Sequence, residues 1–278
     1  MLPKIEQAKN IIGDYKRVIV AFSGGVDSLY LLKLAVETLG KENILAVTAK
    51  SPLSTVGEAE NARHLSNNLG VGHMIVELDE LSEPKIANNP IDRCYHCKRF
   101  RYEQLMRLKD EGGYDAILDG SNFSDLGDYR PGMRACEELG IVSPLKLAGF
   151  TKDEIRQQLK TLGIPQWDTP SRACLASRIP YGDRLTRDKL ARVDNAEQFL
   201  MSLGFKNLRV RLHGDIARIE LPKKDMHLIF EKNLTEVISE ELRKYGCKFV
   251  TLDLEGLRSG SLNPDKEVLA NEGSKYNY

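Results

Sequence analysis

Short apolar runs alternate with amphipathic stretches through the first half of the chain. Residues 17–22 (Arg-Val-Ile-Val-Ala-Phe) and 44–49 (Ile-Leu-Ala-Val-Thr-Ala) have strand length and are apolar at successive positions, so both faces would be covered. Residues 73–77 and 115–119 give two further strand candidates. Between the first two, Leu29, Leu32, Val36 and Leu39 recur at helical spacing. Near-continuous apolar strands separated by amphipathic helices predict an α/β fold with a parallel sheet. Such sheets bind ligands outside the carboxyl ends of their strands. The loops opening near Ser23, Lys50, Gly120 and Ser143 are therefore where chemistry is expected.

The texture changes near Leu185. A helical pattern over 186–203 stops at Gly204, a suitable position for a left-handed glycine. Two alternating segments, 208–212 and 216–221, flank His213-Gly214-Asp215 and predict a β-hairpin. A second helical stretch, 225–245, and a strand, 248–253, complete an α-β-β-α-β unit. The expected organisation is thus a parallel-sheet domain over 1–183, a small α+β domain over 184–262, and a polar, disordered tail over 263–278.

Composition narrows the class. The 278 residues are 41% hydrophobic and 29% charged, an ordinary globular balance. Forty Lys and Arg are matched by 40 Asp and Glu, which removes the broad basic footprint expected of a nucleic-acid binder. No apolar run approaches the roughly 20 residues of a membrane span. Residues 1–6 carry no apolar signal core, and the five cysteines are odd in number. Reduced thiols, available to metal or catalysis, and a cytoplasmic enzyme are expected.

The sharpest motif is Ser23-Gly24-Gly25-Val26-Asp27-Ser28, between the first strand and first helix. Gly24 and Gly25 permit a tight turn and close approach of backbone N–H groups to an anion. The following helix adds its positive end, and Ser23 and Ser28 add hydroxyl donors. The Gly-Lys-Ser/Thr of a Walker A loop is absent. Asp27 beside bound phosphates would repel them unless a divalent cation lay between, so it argues for Mg²⁺-bridged pyrophosphate. The alternative is a plain strand-to-helix turn with Asp27 favoured by the helix dipole.

This loop resembles that of the PP-loop ATP pyrophosphatases, whose sheet is adenine nucleotide α-hydrolase-like. The resemblance implies cleavage of ATP between its α- and β-phosphates, with AMP left on an acceptor oxygen. It implies ATP contacts at Ala21 and at Ala49, which follows the second strand in Ala49-Lys50-Ser51. It also places Asp125, in Gly120-Ser121-Asn122-Phe123-Ser124-Asp125, beside Mg²⁺ and pyrophosphate.

Cys94-Tyr95-His96-Cys97 opens a predicted helix, with Arg93, Lys98 and Arg99 adjacent to favour thiolate. Cys174 lies in an unpatterned segment, Ala173-Cys174-Leu175-Ala176-Ser177-Arg178, whereas Cys136 and Cys247 read as buried structural thiols. A redox pair at Cys94 and Cys97 would not involve Cys174. A zinc site would need His96 or another group as fourth ligand. A [4Fe–4S] cluster on three thiolates would leave one iron open to an exogenous sulfide. The cysteines alone leave these three readings open.

A longer likeness sharpens them. The segment from Asp168 through Cys174 to Gly182, together with 215–221 and 251–260, is similar to one PP-loop branch, the LarE family of sulfur insertases in nickel-pincer nucleotide biosynthesis. That resemblance implies adenylylation of a carboxylate of pyridinium-3,5-biscarboxylic acid mononucleotide and replacement of its oxygen by sulfur. Single-cysteine members give up their own cysteine sulfur. This chain adds Cys94 and Cys97, a pattern that implies a [4Fe–4S] cluster fed by sulfide or by a sulfur donor protein. By the same resemblance Ser177 and Arg178 orient the acyl adenylate, while Glu197 and Glu220 match acids near a divalent metal. Leu228 stands where that pattern has a further acid. A homo-oligomer is also implied.

Arg209 and Arg211, two apart on a predicted strand, share one face. Alone they fit either a solvated edge paired with Arg218 and Glu220, or a phosphate site. The resemblance favours the phosphate, with Arg258 as a third contact. The rival readings are a tRNA thiolase with the same activation chemistry, an ammonia-dependent ligase, and a nucleotide sensor or metal-sulfur carrier that does not turn ATP over.

Overall fold

The computed structural model describes residues 1–127, 131–170, 173–258 and 260–263. Two compact units divide the chain, one of Met1–Ile86 with Asp92–Ala173, the other of Ala87–Ile91 with the chain from Cys174 onward. Ser171, Arg172, Ser259 and the tail beyond Asn263 lie outside the described residues. Among those described, no helix is long and apolar enough to cross a membrane.

In the first unit, β1 (Val18–Ala21), β2 (Ile44–Lys50), β3 (Gly72–Glu77) and β4 (Ala116–Leu118) form a parallel sheet in the order β3-β2-β1-β4. The register sets Val18 beside Ile44 and Ala116, and Val20 beside Ala46 and Leu118. Their side chains join one core with Leu29, Leu32 and Ala35 of the helix Val26–Leu39. Ile19 and Ile117 point the other way, into a core with Val47, Tyr102 and Leu105. Packing on both faces is why these strands are continuously apolar. The winding leaves β1 for β2 and β3, then returns to β4 on the opposite side. A crevice is therefore expected between the carboxyl ends of β1 and β4.

In the second unit, the helix Arg187–Ser202 is capped by Thr186, whose hydroxyl accepts the Lys189 N–H at 3.2 Å. It buries Leu190, Val193, Ala196 and Leu200, and Glu197 falls on the same face. β5 (Arg209–His213) pairs antiparallel with β6 (Ile216–Glu220) around Gly214, whose φ of +59° suits glycine. β7 (Phe249–Leu252) then pairs parallel with β6. Arg209 lies opposite Glu220 and Arg211 opposite Arg218, so these side chains share a face, while Val210, Leu212, Ala217 and Ile219 share the other.

The predicted helix over 225–245 is corrected by the structure. It is interrupted: a short helix, Leu228–Glu231, is separated from Thr235–Lys244 by Asn233 at φ +52°. Asparagine tolerates the left-handed conformation, which breaks the helical hydrogen-bond ladder there. Leu228 thus sits in a single helical turn. The sequence also gave no sign that Ala87–Ile91 belongs with the second unit. Asn89 is fully buried there; its side chain donates to Pro180 O at 2.7 Å, and its own carbonyl accepts the Gly182 N–H at 2.9 Å.

Candidate active site

A cavity of about 330 Å³ opens where β1, β2 and β4 end, with Ala21, Ser23, Gly25, Asp27, Ser28, Ala49 and Asp125 among its walls. Gly24 turns the loop at φ +71°, where a Cβ would lie 3.2 Å from Ala62 Cα. Gly25 precedes the helix Val26–Leu39, which has no side-chain cap. The Ser23 and Ser28 hydroxyls are 3.2 Å apart across the turn, and Ser28 also donates to Gly25 O at 3.1 Å. From β4, Gly120 presses on the first helical turn so closely that a Cβ would lie 2.9 Å from Ser28 N. Uncapped helix start, paired hydroxyls and glycine-only clearance make a cradle for an anion.

Asp27 and Asp125 line this same cavity. Lys152 Nζ stands 3.7 Å from Asp27 Oδ2, so a cation already faces that carboxylate. Lys152 is placed by the start of its helix: Thr151 and Glu154 form a capping box, and the Lys152 N–H donates to Ser124 Oγ at 3.1 Å. Asp125 Oδ2 accepts the Asn122 N–H at 3.0 Å. Two carboxylates beside an anion cradle are a donor set suited to Mg²⁺.

The cavity also contains Arg101, Tyr102 and Asp119, which sequence reasoning left unassigned, and Lys98, which it read only as a neighbour of the thiols. Asp119 accepts from Ser143 Oγ at 2.5 Å, Ser121 Oγ at 2.7 Å and Tyr102 Oη at 3.2 Å, with Lys98 Nζ at 3.6 Å. Burial alone would raise its pKa, but Lys98 and the two serine hydroxyls outweigh that and hold it below the ordinary value. Burial and the Asp119 charge push the Tyr102 hydroxyl well up, so it stays protonated as a donor. Arg101 is held by the fully buried Glu80 at 2.6 Å. The spacing of 98, 101 and 102 was the available signal: one face of the helix that begins at the Cys-x-x-Cys pair.

All five cysteines are free thiols. Cys94 and Cys97 occupy the first turns of the helix Arg93–Gly112, both partly exposed, and buried Arg93 donates to Cys94 Sγ at 3.4 Å. His96 is engaged locally, 3.1 Å from Asp92 Oδ2. Cys174 is exposed and opens the second unit. Cys136 and Cys247 are buried, which raises the pKa of both thiols. Among the described residues no three His, Cys, Asp or Glu side chains are gathered as a ready-made metal site. Cys94, Cys97 and Cys174 are thus the thiols open to solvent, the first two in the first unit and Cys174 in the second.

In the second unit the loop after Cys174 is held by buried ion pairs. Arg178, 2% exposed, meets Glu197 through two bonds of 2.9 Å. Arg211 Nε and Nη2 meet Glu220 Oε2 at 3.1 and 2.9 Å, while its Nη1 donates to Ser177 O at 2.8 Å. Arg209 is half-buried, and its pKa is pushed down to about 10 by burial and by the charges of Arg178 and Arg211. An anion placed there would relieve that repulsion. Arg258 is partly exposed and pairs with Asp253 at 3.5 Å and with Glu255.

The NAD synthase family profile matches residues 6–94, the stretch that includes β1–β3 and the glycine loop. The pyridinium-3,5-bisthiocarboxylic acid mononucleotide synthase of Lactiplantibacillus plantarum is 42% identical over 252 residues, covering 90% of both chains. The chain belongs to this LarE family of PP-loop enzymes. An uncharacterized protein of Synechocystis is as similar, at 41% over 94% of this chain and 97% of its own length. A tRNA-specific 2-thiouridylase of Desulforamulus reducens is more distant, at 25% identity over 56% of this chain and 53% of its own. For this LarE-family chain the NAD synthase match stops at Cys94. The Cys174 loop and the arginines of β5 therefore lie in the part shared with the longer matches.

Proposed function

We propose that this enzyme uses ATP to activate a carboxylate of pyridinium-3,5-biscarboxylic acid mononucleotide and then exchanges its oxygen for sulfur. The observation that carries this reading is the 42% identity with the bisthiocarboxylate synthase over 90% of the chain, joined to an anion cradle at the β1–β4 crevice. In the first step a carboxylate oxygen attacks the α-phosphorus and the bond to the β-phosphate oxygen breaks, releasing pyrophosphate. The Ser23–Ser28 loop receives that leaving group. Asp27 and Asp125 would hold Mg²⁺, which neutralises charge on the departing phosphates. Lys152 and Lys98 line the same cavity and add positive charge to it. No strong general base is required, because the attacking carboxylate is already ionised at neutral pH.

In the second step sulfur adds to the activated carbonyl and AMP leaves, giving a thiocarboxylate. Cys94, Cys97 and Cys174 would hold a [4Fe–4S] cluster, whose chemistry would be to supply sulfur at the sulfide level. Arg209, crowded by like charges, would take the nucleotide phosphate together with Arg258.

The test is anaerobic incubation of iron-reconstituted protein with Mg²⁺·ATP and sulfide, offering either the pyridinium nucleotide or bulk tRNA. Pyrophosphate and a thiocarboxylated nucleotide formed only with the pyridinium are expected, with repeated turnover marking delivery by the cluster. Thiolated tRNA beside an inert pyridinium would replace this reading with a tRNA thiolase. ATP bound but never cleaved would make the protein a sensor or carrier.

A further inference from the structure

The two buried glutamates of the second unit stand where the LarE resemblance implies a divalent metal, yet their oxygen atoms are already occupied. Glu197 Oε1 accepts from Arg178 Nε at 2.9 Å and from the Val210 N–H at 3.0 Å, and Oε2 accepts from Arg178 Nη2 at 2.9 Å. Glu220 Oε2 takes Arg211 through Nε and Nη2, while Oε1 accepts from Arg218 Nη2 at 3.1 Å and Ser261 Oγ at 2.7 Å. Both residues are nearly or fully buried. A cation at either buried carboxylate would either sit against the guanidinium already paired with it or displace that guanidinium and leave it charged in the interior, and both are costly. The carboxylates do not fit a metal.

What the arginines do with their remaining donors gives the alternative. Arg178 Nη1 donates to Cys174 O at 3.0 Å and to Ser177 Oγ at 3.1 Å. The Cys174 carbonyl also accepts from the Ser177 N–H at 2.9 Å and from Ser177 Oγ at 2.7 Å. Arg211 Nη1 holds the other end of the same turn through Ser177 O. Each arginine thus spans from a buried carboxylate, on the helix Arg187–Ser202 or on β6, to a carbonyl of the cysteine turn. Such a fork is rigid because the planar guanidinium fixes both ends at once.

We propose that Glu197–Arg178 and Glu220–Arg211 form a double clamp that fixes the backbone of the Cys174 turn, and that the two glutamates are positioning residues rather than metal ligands. The clamp holds the backbone at Cys174 while leaving its thiol exposed. It also commits Arg178 and Arg211 to protein partners, which leaves the substrate phosphate to Arg209 and Arg258. The significance of the clamp for catalysis rests on the sulfur-transfer reading above; its existence does not.

The first test follows the Arg178 and Arg211 Nε–H resonances in ¹⁵N-labelled full-length protein while Mn²⁺ is added. It uses an Asp27→Asn, Asp125→Asn background, so that the phosphate-loop carboxylates do not take the metal. Sharp, unshifted resonances are expected; paramagnetic loss of both would overturn the proposal. The second is hydrogen–deuterium exchange across residues 173–179 in Glu197→Gln and in Arg178→Lys, which keeps the charge but loses the fork. Exchange about tenfold faster in this turn is expected, with β5 and β6 still protected. Unchanged exchange in Arg178→Lys would sink the clamp even if Glu197→Gln failed to fold. In the sulfur-transfer assay Glu197→Gln should lower kcat for thiocarboxylate formation without raising KM for ATP, and a raised KM alone would contradict a role at Cys174. Exchange and resonance data need neither ATP nor pyridinium nucleotide, so failure of the clamp and failure of the functional reading are separable.

Discussion

Asp119 shows how much one residue can depend on its surroundings. It follows β4 directly, is 3% exposed, and gathers Ser121, Ser143, Tyr102 and Lys98 around one carboxylate. Burial would raise its pKa, but Lys98 and the serine hydroxyls pull the folded value below the ordinary 3.8. A carboxyl whose folded pKa is depressed contributes stability that is complete above its unfolded pKa and is lost as pH falls through the folded one. The affected window therefore lies below 3.8. Asp119→Asn should flatten the acid limb of a urea-midpoint-against-pH curve, and lower the neutral-pH stability by about 1–3 kcal/mol. An acid limb as steep as that of the unaltered protein would mean that other carboxylates govern it. The sequence identified Asp27 because a carboxylate beside a glycine turn is chemically odd. It passed over Asp119 because an acid at a strand end is ordinary until its partners are known.

Among the elements, the parallel strands and the phosphate loop were legible because their signals are local. A run apolar at every position needs cover on both faces, and Val18, Ile19 and Val20 are distributed between two cores accordingly. The contact between elements was not legible. Gly120 was legible as the start of a ligand-binding loop, but not that its missing Cβ is what lets the β4 loop rest on the Asp27–Ser28 backbone. Gly120→Ala would force a Cβ to within 2.9 Å of Ser28 N, displacing the loop proposed above to receive pyrophosphate. We expect a destabilisation of about 1–3 kcal/mol and a raised KM for ATP, read by thermal unfolding and by pyrophosphate release. An unaltered KM would show that the cradle tolerates the shift. Periodicity failed over 225–245 for a related reason: apolar spacing persists through Asn233, and only the left-handed backbone there reveals the break.

At the level of the molecule, the three cysteines belong to two units, Cys94 and Cys97 to the first and Cys174 to the second. If they hold one cluster, removing any of them should abolish it. Anaerobic reconstitution of the full chain should give about four irons per protein. Cys94→Ala, Cys97→Ala and Cys174→Ala should each lose most of that iron while Cys136→Ala, at a buried thiol, retains it. Full iron loading in Cys174→Ala would separate that thiol from the pair and favour a sacrificial donor or a redox couple. The sequence by itself determined the strand and helix alternation, the glycine loop with its carboxylate, the thiols, and the family, because each is carried by residue type at short spacing. The tertiary structure decided which charges are neutralised and by whom. From the letters, resemblance set Glu197 and Glu220 near a metal and Arg178 and Arg211 at the substrate, with an edge pairing of Arg211 and Glu220 as the alternative; the packing of helix and hairpin puts all four into buried ion pairs. Asn89 likewise gained its role only when Ala87–Ile91 joined a unit assembled from residues nearly a hundred positions away. Local pattern specifies an element, but a buried charge takes its function from its neighbours, and those are chosen by packing.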